Sequence, residues 1–216
     1  MSYSDLDRRL RVEYPDAIYH VTSRGVRRED IFADDRDRNR FWARCQAVVD
    51  RFGWRLYSTV QMTNHFHLLF QTPEVNLCRG AQYLLGPYAR YFNLRHGRSG
   101  HVFEGRYRCR VIEDEAYLWT VSRYIHLNPV PAIVPSPALW PWSSYVGFVD
   151  PSHRLPWIQY DRLLDAWEGG QGSRGEAYQR FVEEQLGRDP EELAPQLIDG
   201  RTIGSESFAA RIRKLV

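Results

Sequence analysis

The spacing of apolar residues changes several times along this chain, and each change predicts an element. Residues 17–22, Ala-Ile-Tyr-His-Val-Thr, are β-branched and aromatic and follow the turn signal Tyr14-Pro15-Asp16. They predict a strand that ends at Ser23-Arg24-Gly25. Phe41, Trp42, Cys45, Val48 and Val49 then recur at helical spacing, between the N-cap candidates Asp34-Asp35 and the stop at Phe52-Gly53. Residues 54–62 read as a second strand, Thr63-Asn64 as a tight turn, and 65–71 as a third strand folded back as a hairpin that Pro73 ends. Leu77, Ala81, Leu84, Leu85, Tyr88, Tyr91 and Phe92 return to helical spacing, up to His96-Gly97. Pro87 lies inside that run and should kink the helix or restart it. Residues 102–112 are basic and extended. Tyr117, Leu118, Val121, Tyr124 and Ile125 predict a further helix, capped by Asp114-Glu115 and stopped by Pro129.

Beyond it, residues 135–156 are rich in proline and tryptophan and read as a loop wrapping the preceding unit. Residues 160–167 and 176–186 read as short helices, with a flexible joint at 169–175. No internal repeat is visible. The order β-α-β-β-α-(β)-α predicts an α+β fold of ferredoxin-like type: an antiparallel sheet with helices on one face and the other face open for chemistry. A domain over 1–150 is expected, with a small helical C-terminal extension over 151–216.

Composition narrows the class. With 216 residues, 43% apolar and 14% aromatic, the chain can bury one real core, which excludes wholesale disorder. No apolar run is long enough for a membrane helix, and the start Met1-Ser2-Tyr3-Ser4-Asp5 is polar, so no secretory signal is expected. Cys45, Cys78 and Cys109 are too widely spaced for a zinc knuckle or a disulfide framework. A cytoplasmic protein with reduced thiols is expected, with no membrane partner.

Taken alone, the net charge of +2 argues against a polyanionic partner. Its distribution argues the other way. Residues 51–112 hold nine arginines against two acids, a net of +7, whereas residues 135–216 hold nine basic groups against twelve acids, a net of −3. Basic residues interleaved with aromatics suit nucleic acid. An arginine-rich solvated surface gives the same pattern, since only one of the 29 basic residues is lysine.

Two short patterns carry candidate chemistry. In Asn64-His65-Phe66-His67-Leu68-Leu69-Phe70, a period of two puts His65 and His67 on one strand face, roughly 6–7 Å apart at Cα, where they can share one divalent ion. Two unrelated polar residues on a solvent face fit equally. In Arg123-Tyr124-Ile125-His126-Leu127-Asn128-Pro129-Val130, Tyr124 and Asn128 are stacked on one helix face, and Pro129 places Asn128 at the helix end. A tyrosine hydroxyl is a possible nucleophile and an amide oxygen a hard ligand; a core aromatic and a helix C-cap fit the same spacing.

Together these patterns resemble the single-strand DNA tyrosine transposases with a His-hydrophobic-His motif, and within them the REP-associated tyrosine transposases. The resemblance spans about 11–145. It includes Tyr19-His20-Val21-Thr22-Ser23-Arg24-Gly25, the Asn64–Leu69 motif, Tyr88-Ala89-Arg90-Tyr91-Phe92-Asn93, Gly105-Arg106-Tyr107, the Ser122–Val130 motif and Trp142-Ser143-Ser144-Tyr145. Ile203-Gly204-Ser205-Glu206-Ser207-Phe208 is similar to family tails. Pro131 departs from the arginine usual after Asn-Pro-Val, and Glu104 stands where glutamine is common.

The resemblance implies that His65, His67 and Asn128 are ligands of a divalent ion, Mg²⁺ or Mn²⁺. It implies that Tyr124 is the nucleophile that forms a 5′-phosphotyrosine on single-stranded, hairpin-forming, REP-like DNA. A free phenol, with a pKa of about 10, is neutral at pH 7 and needs a proton acceptor; His126 and His20 are the candidates. Arg106, Arg108 and Arg110 alternate along one strand face and are expected to grip DNA, with Arg24, Arg27 and Arg90 as further contacts. Tyr88, Tyr91 and Phe92 either stack bases or belong to the core. A hairpin-binding protein that does not cut, and a phosphoesterase that uses water, remain alternatives. The short connection from Ile112 to Tyr124 favours a monomer, with a dimer still open.

Overall fold

The computed structural model describes residues 11–113, 115–130, 133–167 and 172–215. β1 (Ala17–Arg24), α1 (Asp35–Phe52), β2 (Arg55–Gln61), β3 (His65–Thr72), α2 (Leu77–His96) and β4 (Arg108–Ile112) follow in the expected order. The strands stand side by side as β2-β3-β1-β4 with every neighbour antiparallel, which is the ferredoxin-like arrangement.

The alternation in β3 decides what each face does. Phe66, Leu68 and Phe70 point to the α1/α2 layer and are fully buried. Phe66 meets the Phe41 ring of α1 at 4.7 Å, and Phe41 meets Tyr88 of α2 at 5.2 Å. Tyr88 and Phe92 are therefore core rings. Burying each such ring contributes about 2–3 kcal/mol. Trp54 stacks on Phe70 at 4.1 Å and donates its indole N–H to Asn76 Oδ1 at 2.8 Å, closing the α2 end of this layer.

Helix starts and stops follow local chemistry. Asp34 caps α1 by accepting from the Arg36 and Asp37 amides, and Gly53 ends it at a left-handed φ of 67°. α2 runs through Pro87 as one helix rather than restarting. Proline leaves the carbonyl four residues back without its helical donor. That carbonyl belongs to Tyr83, and the Arg44 guanidinium of α1 donates to it.

The structure adds a second helical layer. α3 (Glu115–Leu127) lies on the face that the sequence left open, burying Leu118, Val121 and Ile125. So α1 and α2 cover one face as expected, and α3 partly covers the other. The expected capping residue Asp114 and the departure Pro131 lie outside the described residues, as do 169–171 of the expected joint.

The remainder is more ordered than a loop and two helices. The stretch 135–156 contains α4 (Tyr145–Val149) and two 3-10 turns. After it come α5 (Asp161–Leu164), α6 (Arg174–Glu183), α7 (Pro190–Leu193), β5 (Thr202–Ile203) and α8 (Glu206–Arg213). β5 pairs parallel with β4, placing Thr202 beside Val111 and Ile203 beside Ile112, and makes a fifth strand. The family-like tail motif supplies this strand and the cap of α8. Ser205 caps the helix at the Phe208 amide and bonds the Glu113 carboxylate through its own amide and hydroxyl, at 2.6 and 2.9 Å.

Candidate active site

The sheet face opposite α1 and α2 carries a row of polar side chains across three strands. Arg24 of β1 stands opposite His65 of β3, and Thr22 opposite His67. On the other side of β1, Arg108 stands opposite Thr22 and Arg110 opposite His20. α3 lays Tyr124 and Asn128 over this row. The Tyr124 ring meets His67 edge-on at 5.6 Å and His20 at 6.1 Å. The result is a cleft of about 470 Å³ lined by His65, His67, Tyr124, Asn128, Arg24, Glu104, Arg106, Arg108 and Arg110, among others.

Each imidazole has one nitrogen engaged and one turned to the cleft. The Asn64 amide donates to the Arg28 carbonyl at 2.9 Å, so Asn64 Oδ1 faces His65 Nδ1 at 2.7 Å as an acceptor. His65 Nδ1 must then carry the proton, which leaves a lone pair on Nε2. That lone pair faces Asn128 Oδ1 at 3.5 Å, because the Asn128 amide nitrogen donates back to the Tyr124 carbonyl at 3.2 Å. Two acceptors facing each other repel unless a proton or a cation lies between them. His67 is similar: Nδ1 lies 2.9 Å from His20 Nε2, and its buried Nε2 has no hydrogen-bond partner among the described residues.

The protonation states suit metal ligation. Burial, then the Arg24 charge, lowers the His65 pKa to about 4. Burial, then the Arg110 charge, pushes His20 well below the ordinary histidine value, and burial, then the His20 and His65 rings, does the same to His67. All three rings are neutral at pH 7, as a ligand must be. Two imidazole rings 5.2 Å apart at their centroids, an unpartnered His67 Nε2 and the Asn128 oxygen beside His65 Nε2 form a donor set of the chemistry that suits a divalent ion. No group of three or more His, Cys, Asp or Glu side chains is placed to hold a metal among the described residues. The donor set here has two imidazoles and one amide instead.

The remaining expected residues divide. Arg24, Arg106, Arg108 and Arg110 line the cleft. Arg27 is exposed in the turn Val26–Arg28 and does not line it. Arg90 lies on α2 and lines a separate open cleft with Arg36, Arg40 and Tyr91. Its place on the helix face away from the sheet, rather than beside β4, removes it from the Tyr124 site. Both proton-acceptor candidates are fully buried. His20 is fully buried with Nε2 on His67, and His126 is turned to the opposite side of α3, with Nδ1 on Tyr178 OH at 2.7 Å and Nε2 on Ser144 Oγ at 2.9 Å. Asn64, next to the two-histidine motif, went unremarked as a site residue; its place in the Asn-His-x-His run was the available signal.

Comparison with known proteins sets this geometry in a family. The model described as "Transposase IS200 like" matches residues 13–128, more than half of the chain. A solved structure described as the REP-associated tyrosine transposase bound to a REP hairpin is 16% identical, with a TM-score of 0.57 over 72% of this chain and 92% of that one. At that identity the likeness is one of fold. A putative transposase from Deinococcus radiodurans R1 is 17% identical, with a TM-score of 0.39 over 55% of this chain and 95% of that one. No curated relative matches the chain.

Proposed function

We propose a function from one premise: this chain belongs to the IS200-like transposase family. It is a DNA transposase, and we assign it single-strand cleavage and strand transfer at hairpin-forming, REP-like DNA through a 5′-phosphotyrosine. The observation that carries this reading is the convergence of Tyr124, His65, His67 and Asn128 on one cleft with four arginines in its wall. The similar structure is described as bound to a REP hairpin, and we extend that partner to this chain.

In this reading Arg24, Arg106, Arg108 and Arg110 hold the backbone phosphates, since a guanidinium fork matches phosphate oxygens. The phenol oxygen of Tyr124 attacks the scissile phosphorus. The new bond joins that oxygen to phosphorus, the bond to the 3′ oxygen breaks, the phenol gives its proton up to solvent, and the leaving oxygen takes one up as a 3′-hydroxyl. Reversal of the step by an incoming 3′-hydroxyl rejoins DNA without ATP, because the tyrosyl ester conserves the bond. His65, His67 and Asn128 would hold Mg²⁺ or Mn²⁺, which when bound supplies charge withdrawal from a non-bridging phosphate oxygen. His65 and His67 stay neutral to offer their lone pairs, and Asn128 fixes the end of α3 relative to β3.

One chain brings all four groups together, so we favour a monomer. We read residues 1–150 as the catalytic unit and 151–216 as a helical extension. Among the described residues no helix is long and apolar enough to cross a membrane, and we place the protein in the cytoplasm, where its DNA is.

The test uses the full chain, a labelled hairpin oligonucleotide and Mg²⁺ or Mn²⁺. The wild type should give a covalent adduct on a denaturing gel, and Tyr124→Phe should abolish it while hairpin binding survives. An adduct that persists in the Phe variant refutes the assignment of Tyr124. Cleavage without any adduct would favour attack by water, and binding without cleavage would favour a hairpin-binding protein.

A further inference from the structure

We propose that His20 is a positioning residue whose ring holds His67 in the tautomer and orientation that turn the His67 Nε2 lone pair into the cleft. The inference rests on the reading of His65 and His67 as ligands of a divalent ion, and it gives a part to a buried side chain that the cleavage step does not use.

The geometry is specific. His20 of β1 pairs with Leu69 of β3, so it lies diagonally across from His67 on the same sheet face. The two rings stack with centroids 5.1 Å apart and planes 19° from parallel, and His20 Nε2 lies 2.9 Å from His67 Nδ1. His20 is fully buried and His67 is 5% exposed, so water cannot replace this bond. The Tyr124 ring edge closes over the pair.

Only one proton can lie on the line between the two nitrogens. On His67 Nδ1 it leaves the His67 Nε2 lone pair facing the cleft. On His20 Nε2 it forces the other His67 proton onto Nε2 and blocks ligation there. The first arrangement is the one a cation selects. His65 is handled in the same way: its Nδ1 donates to Asn64 Oδ1 at 2.7 Å, leaving its own Nε2 lone pair toward Asn128. Each candidate ligand thus has a separate acceptor on its Nδ1, Asn64 for one and His20 for the other. Such outer partners fix ring orientation in metal sites, and their loss weakens metal affinity by about 10–100-fold.

The experiment uses the full chain without DNA. His20→Phe keeps a ring and removes the acceptor; His20→Gln offers an amide oxygen instead. Titration calorimetry with Mn²⁺ should show affinity about 10–100-fold weaker in His20→Phe, with partial recovery in His20→Gln. Nitrogen-15 NMR of the Mg²⁺-loaded wild type should show His67 protonated at Nδ1. Mn²⁺ affinity in a folded His20→Phe variant within about twofold of wild type overturns the proposal alone, since an outer partner is worth more than that. His67 protonated at Nε2 in the Mg²⁺-loaded wild type overturns the proposal together with the reading of His67 as a ligand, and needs no variant to fold. A wild type that binds no Mn²⁺ overturns the metal reading itself, and this proposal with it.

Discussion

Lowering the pH from 7 to 5 should remove about 2 kcal/mol of stability through His126 alone. His126 is fully buried on α3, the helix that carries Tyr124. The Ser144 hydroxyl donates to the Thr59 carbonyl at 3.3 Å, so it accepts from His126 Nε2 at 2.9 Å. His126 Nδ1 then accepts from Tyr178 OH at 2.7 Å, and Tyr178 in turn bonds the Ser122 hydroxyl at 2.6 Å. This chain of donors fixes a neutral ring, and burial lowers the His126 pKa from 6.5 to about 3. Below pH 6.5 the unfolded chain takes up a proton that the native state refuses until about pH 3. The stability is complete above the unfolded value and is lost as pH falls, by about 1.4 kcal/mol per unit. Urea unfolding of wild type and His126→Gln at both pH values isolates this contribution, because His20 and His67 are present in both and cancel. The variant should be less stable at pH 7 by about 2–3 kcal/mol, from two lost hydrogen bonds and poorer packing. At pH 5 most of that deficit should have gone. A deficit that is the same at pH 7 and pH 5 refutes the claim that His126 is held neutral.

Two further outcomes follow from the packing and the charge. A Cβ on Gly80 would lie 2.2 Å from the Trp54 ring, which is pinned between Phe70 and Asn76, so Gly80→Ala should destabilise by about 1–3 kcal/mol; an unchanged melting temperature would show that the ring can move. Removing a phosphate contact should lower the salt slope of single-strand binding by about 0.7. Arg106→Gln and Arg108→Gln should each show that change in fluorescence anisotropy titrations, and Arg90→Gln, which lines another cleft, should not; equal slopes in all three would remove the β4 arginines from the interface.

What could be read from the sequence was what depends on local spacing. The period of two in β3 identifies the face that His65 and His67 share, and the i, i+4 spacing identifies the face that Tyr124 and Asn128 share. Both survive because neighbouring turns and strands fix them. Partnerships between distant segments were not legible. His20 and His67 are 47 positions apart and meet only through the β1–β3 register, and His126 meets Tyr178 from 52 positions away. As proton acceptors these two histidines looked equivalent in the sequence; burial gave each a different partner. β5 escaped notice because two residues carry no pattern, and it is held by the backbone of β4. Pro87 misled for a similar reason, since the donor that repairs the helix comes from α1.

The acidic tail gains a part that needs no contact with DNA. α3 spans thirteen residues, a length that is marginal for an isolated helix, so tertiary contacts must hold it in place. Its cleft side presents Tyr124 and leads into Asn128, and both are half-buried. Half a turn away, Ser122 and His126 repeat the same i, i+4 spacing and both bond Tyr178 of α6. Arg123 adds a hydrogen bond to Glu184 at 3.2 Å and lies over the Phe181 ring at 4.4 Å, and Trp119 donates to the Leu163 carbonyl at 3.1 Å. The tail therefore grips α3 from the side away from Tyr124 and the cleft. No described acid of residues 135–216 lines the cleft, and Glu184 pairs with Arg123 of α3 instead. Tyr124 is thus held from the far side of α3 by a polar network, and acidification that breaks this network should loosen the helix that carries Tyr124.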